Sequence, residues 1–304
     1  MAAELRQRIR TIARRLDGTM GVYVHALASG ETVEINADRS FQMASVFKVP
    51  ILAELACQAV AGTLSLDERV ELTEEMKAPG SGVLKELSAG TSLTVRDLAM
   101  LMIIVSDNTA TDILLDRVGR NAVNARLRAC GLERTTVSMS CRQLLYDLVG
   151  LSGAADTAET RRLAAERLRN RDVDWDSRVY HDEQANMTTP REMGTLLELV
   201  VRPTLADATA GAGGGPLPAD ACRLMLDIMR RQQVRDRLPL LLPPGVEMAH
   251  KTGSIARVSN DAGILYAPAG PCVVAVFASS LGDDLKGRLA IAQVGRAIYD
   301  AHAA

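Results

Sequence analysis

The feature that most constrains this chain is an apolar run that opens at Ser45-Val46-Phe47-Lys48 and continues through Val49-Pro50-Ile51-Leu52-Ala53 to Gly62. A helix apolar on nearly every side is buried and shows only its end at a surface. The pattern therefore predicts a central helix with Ser45 and Lys48 in its opening turn. Residues three apart share a helix face, so the Lys48 amine is expected within reach of the Ser45 hydroxyl. Free backbone N–H groups and the helix dipole favour negative charge at the same end. Nucleophile, base and anion site can thus come from one turn. An ordinary N-cap serine before a core helix, with a lysine at its rim, accounts for the same residues. At average composition a Ser-x-x-Lys pair occurs about once in a chain this long. On its own the pair decides nothing.

Helical spacing of Leu5, Ile9, Ile12 and Leu16 among arginines predicts an amphipathic helix that ends at Gly18 and packs on a sheet. Gly21 to Leu27 and Thr32 to Ile35 read as a hairpin. From Ser65 to Val200 the pattern is mostly helical. Thr94 and Asp97 form a capping-box pattern before a helix that stops at Ser106-Asp107-Asn108, an inter-helix loop preceding a second helix through Ile113 and Val118 to Gly119. Thr189-Pro190-Arg191-Glu192 repeats the helix-start grammar. Residues 140 to 185 mix an apolar stretch, a charged helix near Glu159 to Arg169 and an acidic loop around Trp175. Ala206 to Pro218 reads as a flexible surface loop, followed by a helix from about Ala219 to Gln233. Strand signals return at Val246 to His250, Ile264 to Tyr266 and Val273 to Phe277, before a final helix expected to carry Leu285, Leu289 and Ile298 on one side.

Strands at both ends with helices between them predict an α/β plus all-α fold. One antiparallel sheet is built from both chain termini, with flanking helices and an inserted helical domain. Residues 1–42 and 240–304 would form the sheet domain, residues 43–239 the helical one, and the active site would lie between them. A chain of 304 residues can bury roughly 75% of its unfolded surface, so core size is no constraint.

A formal charge of −2, with 24% charged residues, carries no signature of nucleic-acid or anionic-membrane binding. Five cysteines without Cys-x-x-Cys spacing, and four scattered histidines, argue for buried free thiols and for no metal. The expected partner is a small molecule, with no cofactor, and the protein is expected to be a monomer. The basic N-terminus has no apolar segment behind it. The chain as written is therefore expected in the cytoplasm, or in the periplasm or outside the cell if a leader has been removed.

Three short motifs stand in order: Ser45-Val46-Phe47-Lys48, Ser106-Asp107-Asn108 and Lys251-Thr252-Gly253. All three in this order occur by chance in fewer than about one chain in 10³. They sit at a helix start, at an inter-helix loop and at the last residues of a strand beside a glycine. The set resembles that of the penicillin-recognising serine hydrolases, specifically class A β-lactamases and their relatives, over roughly residues 18 to 300. The resemblance implies that Ser45 is the acylated nucleophile and that Lys48 takes or shuttles its proton. It also implies that Ser106 relays a proton to the leaving nitrogen, that Asn108 binds a substrate amide, and that Lys251 with Thr252 holds the substrate carboxylate. Backbone N–H groups of Ser45 and Ser254 would form the oxyanion hole, where one donor is worth about 3 to 4 kcal/mol. Arg257 is a further carboxylate contact or an exposed surface arginine. A lysine ordinarily titrates near 10.4 and must come down by about 3, or about 4 kcal/mol, to act as a base near neutrality; burial beside a second cation such as Lys251 achieves this.

The resemblance breaks at one place. Class A enzymes carry a Glu-x-x-Leu-Asn loop whose glutamate activates water for deacylation, and no such string is present here. The nearest, Glu166-Arg167-Leu168-Arg169-Asn170, lies in the charged helix; Glu183, before the Thr189-Pro190 helix start, is the other candidate. A general base contributes about 10² to 10⁴ in rate, so acylation can survive where turnover fails. The activity expected is β-lactam hydrolysis through acyl-Ser45. The alternatives are a D-alanyl peptidase or esterase on the same machinery, and a non-turnover protein that binds β-lactams or peptidoglycan fragments.

Overall fold

The computed structural model describes residues 2–182, 185–205 and 216–303. Ala2–Arg14 form helix α1, with Leu5 and Ile9 buried on its inner face. The chain then enters a five-stranded sheet through β1 (Thr19–Ala26) and β2 (Thr32–Ile35), which pair as the expected hairpin. A short β3 (Phe41–Gln42) leads through a tight turn into α2 (Lys48–Val60). The excursion that follows comprises β4 (Arg69–Glu71) and β5 (Ser92–Thr94), then α3 (Val95–Ile104), α4 (Asn108–Val118) and α5 (Arg120–Ala129). It continues with α6 (Cys141–Leu148), α7 (Ala158–Asn170), α8 (Arg178–His181), β6 (Met187–Thr188), α9 (Pro190–Leu205) and α10 (Ala219–Arg230). The chain returns to the sheet as β7 (Met248–Ile255), β8 (Val258–Ala267) and β9 (Gly270–Ser279), and ends in α11 (Asp284–Ala301). The expected glycine-rich loop lies outside the described residues as far as 215.

The sheet order is β2-β1-β9-β8-β7, antiparallel throughout, so strands from the two ends of the chain meet at the β1–β9 pair. Alternate side chains of a strand point to opposite faces, and both faces here are covered. Val22, Val24, Val274 and Val276 pack with Leu5, Ile9, Ile291 and Val294 on one side. Tyr23, Val273, Ala275 and Phe277 belong to the larger core on the other side, together with the residues of α2, α9 and α10. Within that core α2 is the central rod: its first ten residues, Lys48 to Cys57, are all buried. Helices α3, α4, α5 and α10 surround it.

Three expectations need correction. The last three strands are longer than their apolar runs; in β7 and β8 the reason is that Lys251, Thr252, Ser259, Asn260 and Asp261 are buried polar residues that interrupt the apolar pattern. Lys251-Thr252-Gly253 therefore lies within β7 and not at its end. Leu285 and Leu289 do not share a face with Ile298: they are 63% and 41% exposed, while Ile291, Val294 and Ile298 are buried. Nine residues separate Leu289 from Ile298, about two and a half turns of helix, which puts them on opposite sides. Finally, α4 begins at Asn108 itself, with Asp107 as its N-cap, so only Val105 to Asp107 connect α3 to α4.

One buried side chain ties the strand layer to the turn before α2. Asn260 Nδ2 donates to Gln42 O and Met43 O, both at 2.9 Å, and its Oδ1 accepts Ala278 N at 3.2 Å. Asn260→Ala removes three hydrogen bonds to buried backbone groups and is expected to lower stability by roughly 3 kcal/mol, read as a lower urea midpoint with an unchanged slope.

Candidate active site

Ser45 stands in a 3₁₀ turn, Ala44–Phe47, that runs directly into α2. The chain enters this turn through Ala44 at a φ of 43°, in the left-handed region that a residue with a Cβ avoids. Neighbouring bonds hold it there: Ala44 N donates to Gln42 Oε1 at 2.9 Å and Met43 N to Asn186 O at 2.9 Å. The Gln42 amide is in turn fastened to Val179 O and Ala185 O. Strand β7 passes close to the same turn. A Cβ on Gly253 would sit 2.6 Å from Met43 O and 3.1 Å from Ser45 N, so the glycine of the third motif is what allows the strand edge to approach the Ser45 turn.

Lys48 is wholly buried, and its amine does not spend its donors on Ser45. Lys48 Nζ donates to Ser106 O at 2.8 Å, Ser106 Oγ at 3.1 Å and Asn108 Oδ1 at 2.8 Å. An ammonium has three donors, and all three face the second motif. Ser106 sits at a φ of 57°, also left-handed, which turns both its carbonyl and its hydroxyl toward Lys48. The Asp107 carboxylate holds this arrangement from behind by accepting Val83 N, Leu84 N and Ala110 N at 2.6 to 2.9 Å. Asn108 Nδ2 donates to Pro79 O at 2.8 Å, which fixes its oxygen on the lysine.

Burial lowers the pKa of Lys48; the nearby Cys141, Asp112 and Asp107 pull the other way. Lys251, equally buried, is lowered further, first by burial and then by the charges of Lys48 and Arg237. Its amine donates to Thr252 O at 2.7 Å.

Ser45, Asn108 and Ser254 all line one cleft of about 140 Å³, together with Gly80, Ser81, Leu144, Leu145 and Cys141. The three motifs are thus brought together: Lys48 and Ser106 bond each other behind the cleft, Gly253 lies against the Ser45 backbone, and Lys251 and Thr252 sit on the same strand as Ser254.

Of the two sequence candidates for a water-activating carboxylate, Glu166 does not line the cleft. Glu166 lies on α7 with its side chain 48% exposed, 3.5 Å from Arg162, as a solvated surface charge. Glu183 lies outside the described residues. Arg257 is also displaced: its guanidinium stacks 4.1 Å over the Trp175 ring beside a neighbouring groove.

Two side chains at the site were not foreseen. Arg237 is only 3% exposed and bonds both Ser254 Oγ and Ser259 Oγ. It stands in an arginine-rich stretch whose members the sequence does not distinguish. Cys141 begins α6 and forms part of the cleft wall, where its thiol is pushed up to about 12, chiefly by burial. Nothing in its neighbourhood sets it apart from the other cysteines.

The β-lactamase enzyme family model matches residues 4–302. This chain belongs to that family. It is therefore a serine hydrolase of the β-lactamase type, and its sheet and helices form the class A β-lactamase fold. A β-lactamase of Streptomyces lavendulae is 32% identical over 285 residues, 90% of this chain and 77% of the relative. The crystal structure of a β-lactamase from Sphaerobacter thermophilus matches with a TM-score of 0.78 at 29% identity, over 99% of this chain and 98% of that one. A mutant of PBP-A, solved as an acyl-enzyme complex with penicillin G, matches with a TM-score of 0.76 at 28% identity, over 98% and 96% of the two chains.

The lysine pair has a consequence for stability that can be measured. Because the folded pKa of Lys251 lies below its ordinary 10.5, the unfolded chain binds more protons between the two values, and stability rises with pH across that window. Below it the buried lysine costs stability. Lys251→Met is expected to raise the thermal midpoint at pH 7 by about 2–4 °C, with a gain that shrinks as the pH approaches 10.

Proposed function

We propose that this member of the family opens β-lactam amides through an ester on Ser45. The observation that carries the reading is a fully buried Lys48 amine bonded to Ser106 Oγ and Asn108 Oδ1, directly behind a cleft lined by Ser45 and Ser254. A lysine in that setting is a free amine over part of the pH range in which an exposed lysine is charged. Free, it accepts the Ser45 hydroxyl proton as Ser45 Oγ bonds to the lactam carbonyl carbon. The carbonyl electron pair moves onto oxygen, which the Ser45 and Ser254 N–H groups receive. When the pair returns, the C–N bond breaks, and the Lys48 proton passes through Ser106 Oγ to the leaving nitrogen. Asn108 takes the substrate amide. Lys251 and Thr252 receive the carboxylate, with Arg237 adding positive charge to the same strand edge through Ser254. The acyl-enzyme of PBP-A with penicillin G supports penicillins as the first compounds to try. In domain terms, residues 1–42 and 240–304 supply the strand wall and residues 43–239 the remainder.

One observation favours a second reading, in which the ester persists. Among the described residues that line the cleft there is no carboxylate, so acylation is not matched by an evident base for water.

Incubation with a chromogenic cephalosporin, followed by intact mass, is expected to show colour release and a Ser45 adduct in the native protein and neither in Ser45→Ala. An unchanged Ser45→Ala would end the proposal. Lys48→Ala is expected to slow acylation by about 10² to 10⁴, whereas Glu166→Gln leaves it within twofold. Since a lowered lysine pKa frees the amine at lower pH, the acylation rate should rise with pH to a plateau with its midpoint below that of an ordinary lysine. A midpoint at the value of an ordinary lysine would remove Lys48 as the base.

A further inference from the structure

We infer that Cys141 sets how long the acyl-Ser45 ester lasts, because its thiol occupies the place in the cleft wall, beside Lys48, from which a carboxylate would serve an attacking water. This rests on the acyl-serine reading above.

The placement is built by α4. Asn108 and Asp112 are one turn apart on that helix, so the segment that brings Asn108 Oδ1 to Lys48 also carries a second polar side chain inward. Asp112 is 8% exposed and accepts Cys141 N at 2.6 Å and Arg142 N at 3.0 Å. Its carboxylate is thereby committed to the first turn of α6, whose other end-group is a Ser140–Gln143 capping box. Asp112 also meets the Cys141 thiol, and it is absent from the cleft wall. What α4 and α6 together present there is the Cys141 side chain, 4% exposed, in reach of Lys48 and flanked by Leu144 and Leu145.

A thiol held near 12 is protonated at neutral pH. It cannot take a proton from water, and the apolar leucines beside it offer no substitute. Hydrolysis of the ester requires one O–H bond of water to break as its oxygen bonds to the acyl carbon, the ester C–Oγ bond to break, and the released proton to reach Ser45 Oγ. With a carboxylate at position 141 that proton would rest on the carboxylate between the two events. With the thiol, no side chain among the described residues of the cleft wall takes that proton, the work falls to Lys48 behind the wall, and the ester waits.

The test compares the native protein with Cys141→Glu and Cys141→Asp, each checked for a native-like thermal unfolding transition. Stopped-flow colour release from a chromogenic cephalosporin is paired with a time course of intact mass. The native protein is expected to show a burst of one equivalent and a lasting adduct. Cys141→Glu, or Asp if the longer chain does not fit, is expected to keep the burst and to clear the adduct about 10² to 10⁴ faster. Its clearance should show an acid limb near the ordinary carboxylate range, about 4–5, that the native protein lacks. A native protein that clears its adduct in the first turnover overturns the inference. So do two folded carboxylate variants whose adducts last as long as the native one. If the native protein forms no adduct and releases no colour, the acyl-serine reading fails and this inference falls with it.

Discussion

Three hydrogen bonds from one buried amine hold this molecule's chemistry together. Lys48 Nζ reaches out of α2 to Ser106 O, Ser106 Oγ and Asn108 Oδ1. In doing so it locks the central helix to the start of α4 without any bonded carboxylate to keep it charged. A buried ammonium satisfied only by neutral oxygens is easily persuaded to give up its proton. Every other arrangement at the cleft serves that situation. Asp107 spends its carboxylate oxygens on backbone N–H groups, and Asp112 does likewise at the start of α6. Lys251 and Arg237 add positive charge from the strand side.

The strand side owes its closeness to the absence of a side chain. Gly253 is packed where a single methyl group would press on Met43 O and Ser45 N. Ala44 and Ser106, on either side of the lysine, are held in left-handed conformations. Each costs of order 1–3 kcal/mol and persists only because surrounding bonds fix it. The core of α2 and the Asn260 bonds to Gln42 and Met43 provide that fixing. The interior thus carries backbone strain on both sides of Lys48, next to the half-buried Ser45.

Much of this was legible from the residues alone, for a physical reason. Ser45, Lys48, Ser106, Asn108 and Lys251 stand in three short motifs whose residue types and order can be read without the fold, and the structure brings those motifs around one cleft. The apolar α2, the Thr94 cap and the first hairpin were equally plain, since each obeys a local period or capping rule. What escaped depends on burial that only the fold decides. Strands β7 and β8 carry polar residues inward and lose the alternation that would announce them. Leu285 and Leu289 are apolar but face solvent. The lysine's real partners lie 58 and 60 residues away in sequence, beyond what helix spacing from Ser45 could show. Arg237 and Cys141 acquire meaning only from the neighbours that the sheet and α4 bring to them.

The pairing of β1 with β9, in which Val22 faces Val276, has an outcome for how the molecule comes into being. During synthesis the turn bearing Ser45 emerges early, yet the strand that walls the cleft follows some two hundred residues later, and the sheet closes later still. Long-range pairings of this kind are slow to form. A nascent or prematurely ended chain lacks the strand wall of the cleft, so the appearance of activity would serve as a clock for completed folding.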